Sequence, residues 1–197
     1  MSKWKSVKIG DIAERIAMGP FGSNIKVSNF VSSGVPVLNG ANLFGFKLKE
    51  ESFNYVTENK AMELNKSLAY KGDIVVTHRG TLGQVVYIPC ESKFDKYLIS
   101  QSQFLVRVNP TLADCRFITY FFHSRYGQHL LLSNASQVGV PALARPTTTF
   151  KLLEIPLPSL TEQKKIADLL CLIDSKIELN AQINHNLEVF NLEAFAA

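Results

Sequence analysis

What this chain lacks narrows its function before any motif is read. No stretch approaches the eighteen consecutive apolar residues of a membrane-spanning helix, and the opening Met1-Ser-Lys-Trp-Lys leads into no apolar signal-type segment. The expectation is a soluble, cytoplasmic protein with no membrane partner. Cysteines are few: Cys90, Cys115 and Cys171 are scattered and odd in number, with no C-x-x-C pair and no nearby histidine pair. A disulfide framework and a zinc site are both disfavoured, and free thiols suit a reducing compartment. No glycine-rich cofactor motif follows an early strand, no N-P-P-Y-type loop is present, and no Ser-His-Asp or Cys-His pattern stands out. Neither proline nor glycine occurs after Pro158.

That last absence frames the most informative segment. Pro156 and Pro158 close off whatever precedes them, Thr161 is placed to cap a helix, and Glu162, Gln163 and Asp168 set acceptors near its N-terminal end. Apolar residues then recur at helical spacing: Ile166, Leu169, Leu170, Ile173, Ile177, Ile183, Leu187 and Phe190. The pattern predicts an amphipathic helix about 50 Å long, more than a domain of this size needs for its own core. With Ile166 at heptad position a, Ile173, Asn180 and Leu187 follow at a, and Leu169, Lys176, Ile183 and Phe190 fall at d. Asn180 and Lys176 interrupt the stripe where polar residues fix register at some cost in stability. The stripe therefore predicts a helical partner, against the plainer reading that it folds back on its own domain.

Charge divides at the same boundary. Residues 1–160 hold 18 Lys+Arg against 11 Asp+Glu, a net +7, whereas residues 161–197 hold three lysines against six acids, a net −3. A basic body suits a polyanion and an acidic helix suits protein contact.

Along the body, residues 4–18 read as an entry strand and a short helix capped near Asp11. Val35–Asn39 reads as a strand and Glu58–Leu64 as a brief helix. Asp73–Thr77 and Gln84–Ile88 are β-branched runs joined hairpin-fashion by His78-Arg-Gly-Thr-Leu-Gly. Ser102–Val108 is a further strand and Leu112–Leu132 one or two helices. Residues 133–150 are mostly loop, and Leu152–Leu157 is a last strand. The aromatic cluster over 117–126 suits core packing better than base stacking. The fold class is α+β: a mixed α/β domain over 1–156 followed by a long coiled-coil-forming helix over 157–197.

Several motifs occur in a fixed order. Gly19-Pro-Phe-Gly-Ser is followed by Val35-Pro-Val-Leu-Asn-Gly-Ala-Asn-Leu and by Gly72-Asp-Ile-Val-Val-Thr-His-Arg-Gly-Thr-Leu-Gly. Gln101-Ser-Gln-Phe-Leu-Val-Arg-Val comes next, then Ile155-Pro-Leu-Pro-Ser-Leu-Thr-Glu-Gln-Lys-Lys-Ile-Ala. Together, over nearly the whole chain, they resemble the specificity (S) subunit of type I restriction–modification systems. That resemblance implies a target-recognition domain and a helical spacer, and a subunit that catalyses nothing itself. It also implies methylation subunits bearing S-adenosylmethionine chemistry and a restriction subunit using ATP and Mg²⁺, with no cofactor in this chain. Family subunits carry two such units in tandem with their long helices antiparallel, each domain reading half of a split site in double-stranded DNA. This sequence holds one unit: either half of a longer subunit or a half-length version. The unpaired helix then implies a homodimer through Ile166, Leu169, Leu170, Ile173, Ile177, Asn180, Ile183, Leu187 and Phe190, reading a palindromic split site.

Candidate DNA contacts follow from side-chain chemistry. Ser23, Asn24 and Lys26 follow a glycine turn that offers backbone N–H groups to phosphate, the alternative being a plain turn with Phe21 anchored in the core. His78, Arg79 and Thr81 lie just past a strand, where arginine suits guanine or phosphate. Gln101 and Gln103 alternate along a strand and would share a face, with amides suited to adenine edges. Arg145, Thr147, Thr148 and Lys151 form a basic, hydroxyl-rich loop. One catalytic alternative exists: Asp73 followed by Glu91-Ser-Lys93 outlines a Mg²⁺-dependent nuclease, though the outline is permissive. A third reading is an interaction protein that uses only the helix.

Overall fold

The computed structural model describes residues 4–133, 135–136 and 139–196, with side chains described through residue 187. The chain begins with β1 (Lys5–Lys8), α1 (Ile9–Ile12) and β2 (Ala13–Met18), then β3 (Phe30–Val31), β4 (Val35–Val37) and β5 (Asn54–Val56). Next come α2 (Glu58–Glu63), β6 (Leu68–Tyr70), β7 (Ile74–Thr77), β8 (Val85–Tyr87), β9 (Lys96–Leu98) and β10 (Gln103–Val108). The body ends with α3 (Cys115–His123), α4 (Arg125–Leu132), β11 (Ala135–Ser136), β12 (Ala142–Leu143), α5 (Pro146–Leu152) and β13 (Glu154–Leu157). One long helix, α6 (Leu160–Ala196), closes the chain.

The central layer is a four-stranded antiparallel sheet in the order β2-β10-β7-β8. Successive strand residues point to opposite faces. Ile74, Val76, Phe104 and Val106 thus pack on one side with Phe117, Phe122 and Phe150 of α3 and α5. Val75, Val86 and Leu105 pack on the other with Leu38, Tyr97 and Ile99 around the second sheet, β3-β5-β4-β9-β6. Burial on both faces explains why β7 reads as an unbroken apolar run rather than an alternating one. The aromatic cluster is core, as its crowding suggested: Phe117, Tyr120 and Phe122 are buried, and only Tyr126 stands well out.

Two local readings are corrected. Residues 13–18, expected to continue a helix, form β2, because β10 offers an open edge on which Ala17 lies opposite Leu105 and Ile16 opposite Val106. Pairing on a buried sheet outweighs the helical preference of Ala-Glu-Arg-Ile-Ala-Met. Within the expected loop 133–150, the Thr-rich stretch forms α5, opened by Pro146 at a first-turn position where its missing N–H costs nothing.

The cap of α6 also differs from expectation. The Ser159 hydroxyl, not Thr161, accepts from the Glu162 N–H at 3.3 Å. Gln163, expected to set an acceptor toward the helix N-terminus, is fully buried and bonds to the body instead. Its amide donates to the Leu112 and Pro158 carbonyls, and its oxygen accepts from the Asp114 N–H at 3.0 Å. Every polar atom of that side chain is used, which is how a buried amide is tolerated. Beside it, β13 pairs with β1, and Trp4 donates to Glu162 at 3.3 Å and packs edge-on against Phe117.

Candidate nucleic-acid interface

Antiparallel pairing puts four chain segments at one end of the central sheet: the exit from β2, the β7–β8 turn, the turn entering β10 and the segment through β12 to α5. Backbone bonds tie them together. Gly19 donates to the Gln103 carbonyl at 2.8 Å, and His78 donates to Ser102 at 2.9 Å. Gly80 donates to Pro141 at 2.9 Å, and Leu143 donates to His78 at 2.8 Å. Gly19 admits no side chain, since a β-carbon there would stand 1.8 Å from the Ser100 carbonyl oxygen. Gly80 sits at φ +88°, a left-handed conformation that glycine adopts without strain.

The loop segments 19–29, 77–84, 100–103 and 139–146 contain no Asp or Glu. Ser23, Asn24, Lys26, Arg79, Thr81 and Gln101 are exposed there, with His78 half-buried. Among the described residues, neither Lys26, Arg79 nor Arg145 has an ion-pair partner. His78 Nε2 lies 3.1 Å from the Gln101 carbonyl. Burial lowers the His78 pKa below its ordinary 6.5 despite that bond.

Two positions depart from expectation. Gln103, expected to offer its amide from a strand face, is 1% exposed, and its Oε1 accepts from the Ser100 N–H at 2.9 Å, closing the turn before β10. Gln101 precedes the strand in that turn, so the two amides do not share a strand face. Phe21, the expected core anchor, is 83% exposed.

Arg145, just past β12, stands at the same end, whereas Thr147, Thr148 and Lys151 lie along α5 as it runs toward the start of β2, where Lys151 packs against Gly10. Arg145 stands just before α5 in a left-handed conformation, φ 46° and ψ 57°, which a non-glycine residue preceding proline adopts only under strain. Thr147, Thr148 and Lys151 share a shallow groove with Gly10 and with Glu14, Arg15 and Ile16 of edge strand β2, so this groove, unlike the loop segments, includes a carboxylate.

The opposite end of the sheet is built differently. Asp73, fully buried, accepts from Arg107 Nε and Nη2 at 2.7 Å each and from the Tyr70 N–H at 2.9 Å. The residues of the nuclease outline do not assemble. Asp73 is held by Arg107, Glu91 is exposed, and the Lys93 N–H donates to Glu50. Among the described residues, no group of three or more His, Cys, Asp or Glu side chains is arranged to hold a metal.

A cleft of about 1000 Å³ opens at this end, lined by Asp73, Arg107, Tyr87, Tyr120, Cys171 and Glu178 among others. Helix α6 closes it. Tyr120 donates to Asp174, Arg116 bridges Asp114 and Asp168 at 2.7 Å each, and Lys47 pairs with Glu178 at 2.6 Å. Burial pushes the Cys115 thiol there up to about 12, which leaves it unreactive.

The face of α6 toward the body is thus Gln163, Ala167, Cys171, Asp174 and Glu178. Leu169, Ile173, Ile183 and Leu187 lie about 120–160° round the helix from that line, at 100° per residue. They are 59%, 45%, 46% and 56% exposed, and Ile177, nearer the cleft, is 61%. Asn180 is exposed on the same stripe, while Ile166 and Leu170 are half-buried, Ile166 packing against the core. The side chain of Phe190 lies outside the described residues.

The chain is thus a loop-bearing α/β body with a long helix docked at the far end of its sheet. The family model for the type I restriction modification DNA specificity domain matches residues 1–189, and the chain belongs to that family. It is 26% identical over 198 residues to the type I restriction enzyme HindI specificity subunit of Haemophilus influenzae, covering 95% of this chain and 39% of that one. It is 27% identical to the MjaIX specificity subunit of Methanocaldococcus jannaschii, covering 98% and 43%. The fold superposes on the type I restriction–modification S subunit of M. genitalium with a TM-score of 0.61 at 20% identity, over 91% of this chain and 41% of that one. The chain therefore spans about two fifths of the length of the relatives it matches.

Proposed function

We propose that this chain is a non-catalytic DNA-recognition subunit that directs methylation and restriction subunits to a split site in double-stranded DNA. The carrying observation is the set of acid-free loop segments, on which Lys26, Arg79 and Arg145 stand without ion-pair partners among the described residues. An unpaired cation on a protein surface is free to displace the counterions of a phosphate backbone, and a polyanion gains most where no carboxylate competes. Lys26, Ser23 and Asn24 suit phosphates, as do Thr148 and Lys151 beyond the loops despite Glu14 beside them, while Arg79, Gln101 and His78 suit base edges. Buried Gln103 is better assigned to holding the turn, and half-buried Thr147 to the groove beside β2.

The second part of the reading concerns α6. Its outward stripe suits a second copy of the same helix, antiparallel, so that two recognition domains are held at fixed separation and read a palindromic split site. S-adenosylmethionine, ATP and Mg²⁺ belong to the partner subunits, and the setting is cytoplasmic. The test is binding of the complex assembled with its methylation subunit to DNA carrying its own methylated sequence. The reading requires tight binding there and weak binding to an unrelated duplex. Equal affinity for both would refute it.

A further inference from the structure

The loop that opens the candidate DNA surface displays a side chain for which the fold has no use. Phe21 is 83% exposed, whereas Pro20 beside it is buried. The backbone beneath the ring is fixed on both sides. Gly19 is pinned to the 100–103 turn by its bond to Gln103 and by the absence of room for a β-carbon. On the other side, Asn24 donates to the Phe21 carbonyl at 2.8 Å and closes the 3-10 turn Gly22–Asn24. The ring therefore projects from a rigid support into solvent, flanked by exposed Ser23, Asn24, Lys26 and Gln101. Water opposes that exposure, and a turn with no other task would carry a polar residue at its tip.

We propose that Phe21 is an apolar base contact, its ring packing against the 5-methyl group of a thymine within the recognised half-site. Thymine presents the one apolar group on the base-pair edges of the major groove, and a phenyl ring complements it where a hydroxyl or amide does not. The polar neighbours would hold the loop against the backbone while the ring discriminates thymine from cytosine. Val27, equally exposed, lies in the next 3-10 turn, beyond the contact with the 100–103 turn. This assignment deepens the DNA-recognition reading and rests on it.

The test uses the complex with its methylation subunits on duplexes carrying the methylated site, each thymine replaced singly by deoxyuridine, with affinity read by fluorescence anisotropy. For the wild-type chain, one replacement per half-site weakens binding about fourfold, the factor for one methyl group. Phe21→Ala binds the thymine duplex about tenfold more weakly, keeps its melting temperature, and no longer distinguishes thymine from deoxyuridine at that position. Equal affinity of Phe21→Ala and wild type overturns the assignment. So does a loss that is independent of the methyl group and accompanied by unstacking of a 2-aminopurine probe, which marks a wedge rather than a methyl reader. Either result leaves DNA recognition standing if the wild-type complex still prefers its own site. A wild-type complex with no such preference removes both.

Discussion

Gln101 and Gln103 are alike in type and two positions apart, yet one faces solvent and the other closes a turn inside the fold. Replacing Gln103 with Ala leaves the Ser100 N–H without its acceptor and is expected to cost about 1–3 kcal/mol in urea unfolding. Gln101→Ala should stay within about 0.5 kcal/mol of the parent and change DNA affinity alone. Arg79→Ala is expected to lower affinity for the cognate duplex about tenfold or more while leaving the melting temperature unchanged. A matching loss of stability would make Arg79 a structural residue. His78 carries a pH signature. Its folded pKa lies below 6.5, so the unfolded chain takes up its proton first. The stability contributed is full above pH 6.5 and is lost as pH falls through the folded value. Urea unfolding between pH 7.5 and 5 should show this fall in the wild type and a smaller one in His78→Gln. An imidazole titration midpoint at or above 6.5 would contradict it.

Among the elements, those with a strong local pattern were legible. The β-branched runs of β7 and β8 announce themselves through composition, the aromatic α3 and α4 through helical spacing, and α6 through its period and the absence of glycine and proline. β2 was not legible, because Ala-Glu-Arg-Ile-Ala-Met has no strand propensity of its own and becomes a strand only when β10 is beside it. Short β3, β5, β6 and β9 were missed for the same reason: two or three residues carry no period. The loop surface was legible in part, since His78-Arg79-Gly80 and Gly19–Asn24 were marked by glycine. The ion pair at the far end of the sheet was not, because 34 residues separate Asp73 from Arg107 and only antiparallel β7–β10 pairing brings them together. Breaking that pair by Asp73→Ala leaves the guanidinium without its buried partner and is expected to cost about 3 kcal/mol, measurable by chemical denaturation. The nuclease outline asks instead for a folded protein that has lost Mg²⁺-dependent nicking.

At the scale of the whole molecule, the sheet works at both ends. One end presents acid-free loops proposed for DNA, and the other anchors α6 through Arg116, Tyr120 and Lys47, so the direction of the helix is fixed relative to the loops. Its proposed use as a spacer depends on that fixed geometry. Replacing Ile173 and Leu187 together with polar residues should yield monomers by light scattering, with the body still folded because neither side chain faces it. The central claim joins both ends: paired helices hold two copies of one DNA-reading surface at a set distance. Its most direct test is the sequence methylated in cells that carry this chain, as the sole specificity subunit, with its methylation subunit, mapped across the genome. The account predicts one palindromic site made of two identical half-sites separated by a spacer of constant length. Methylation at a site without that two-fold symmetry, or at none, would contradict it.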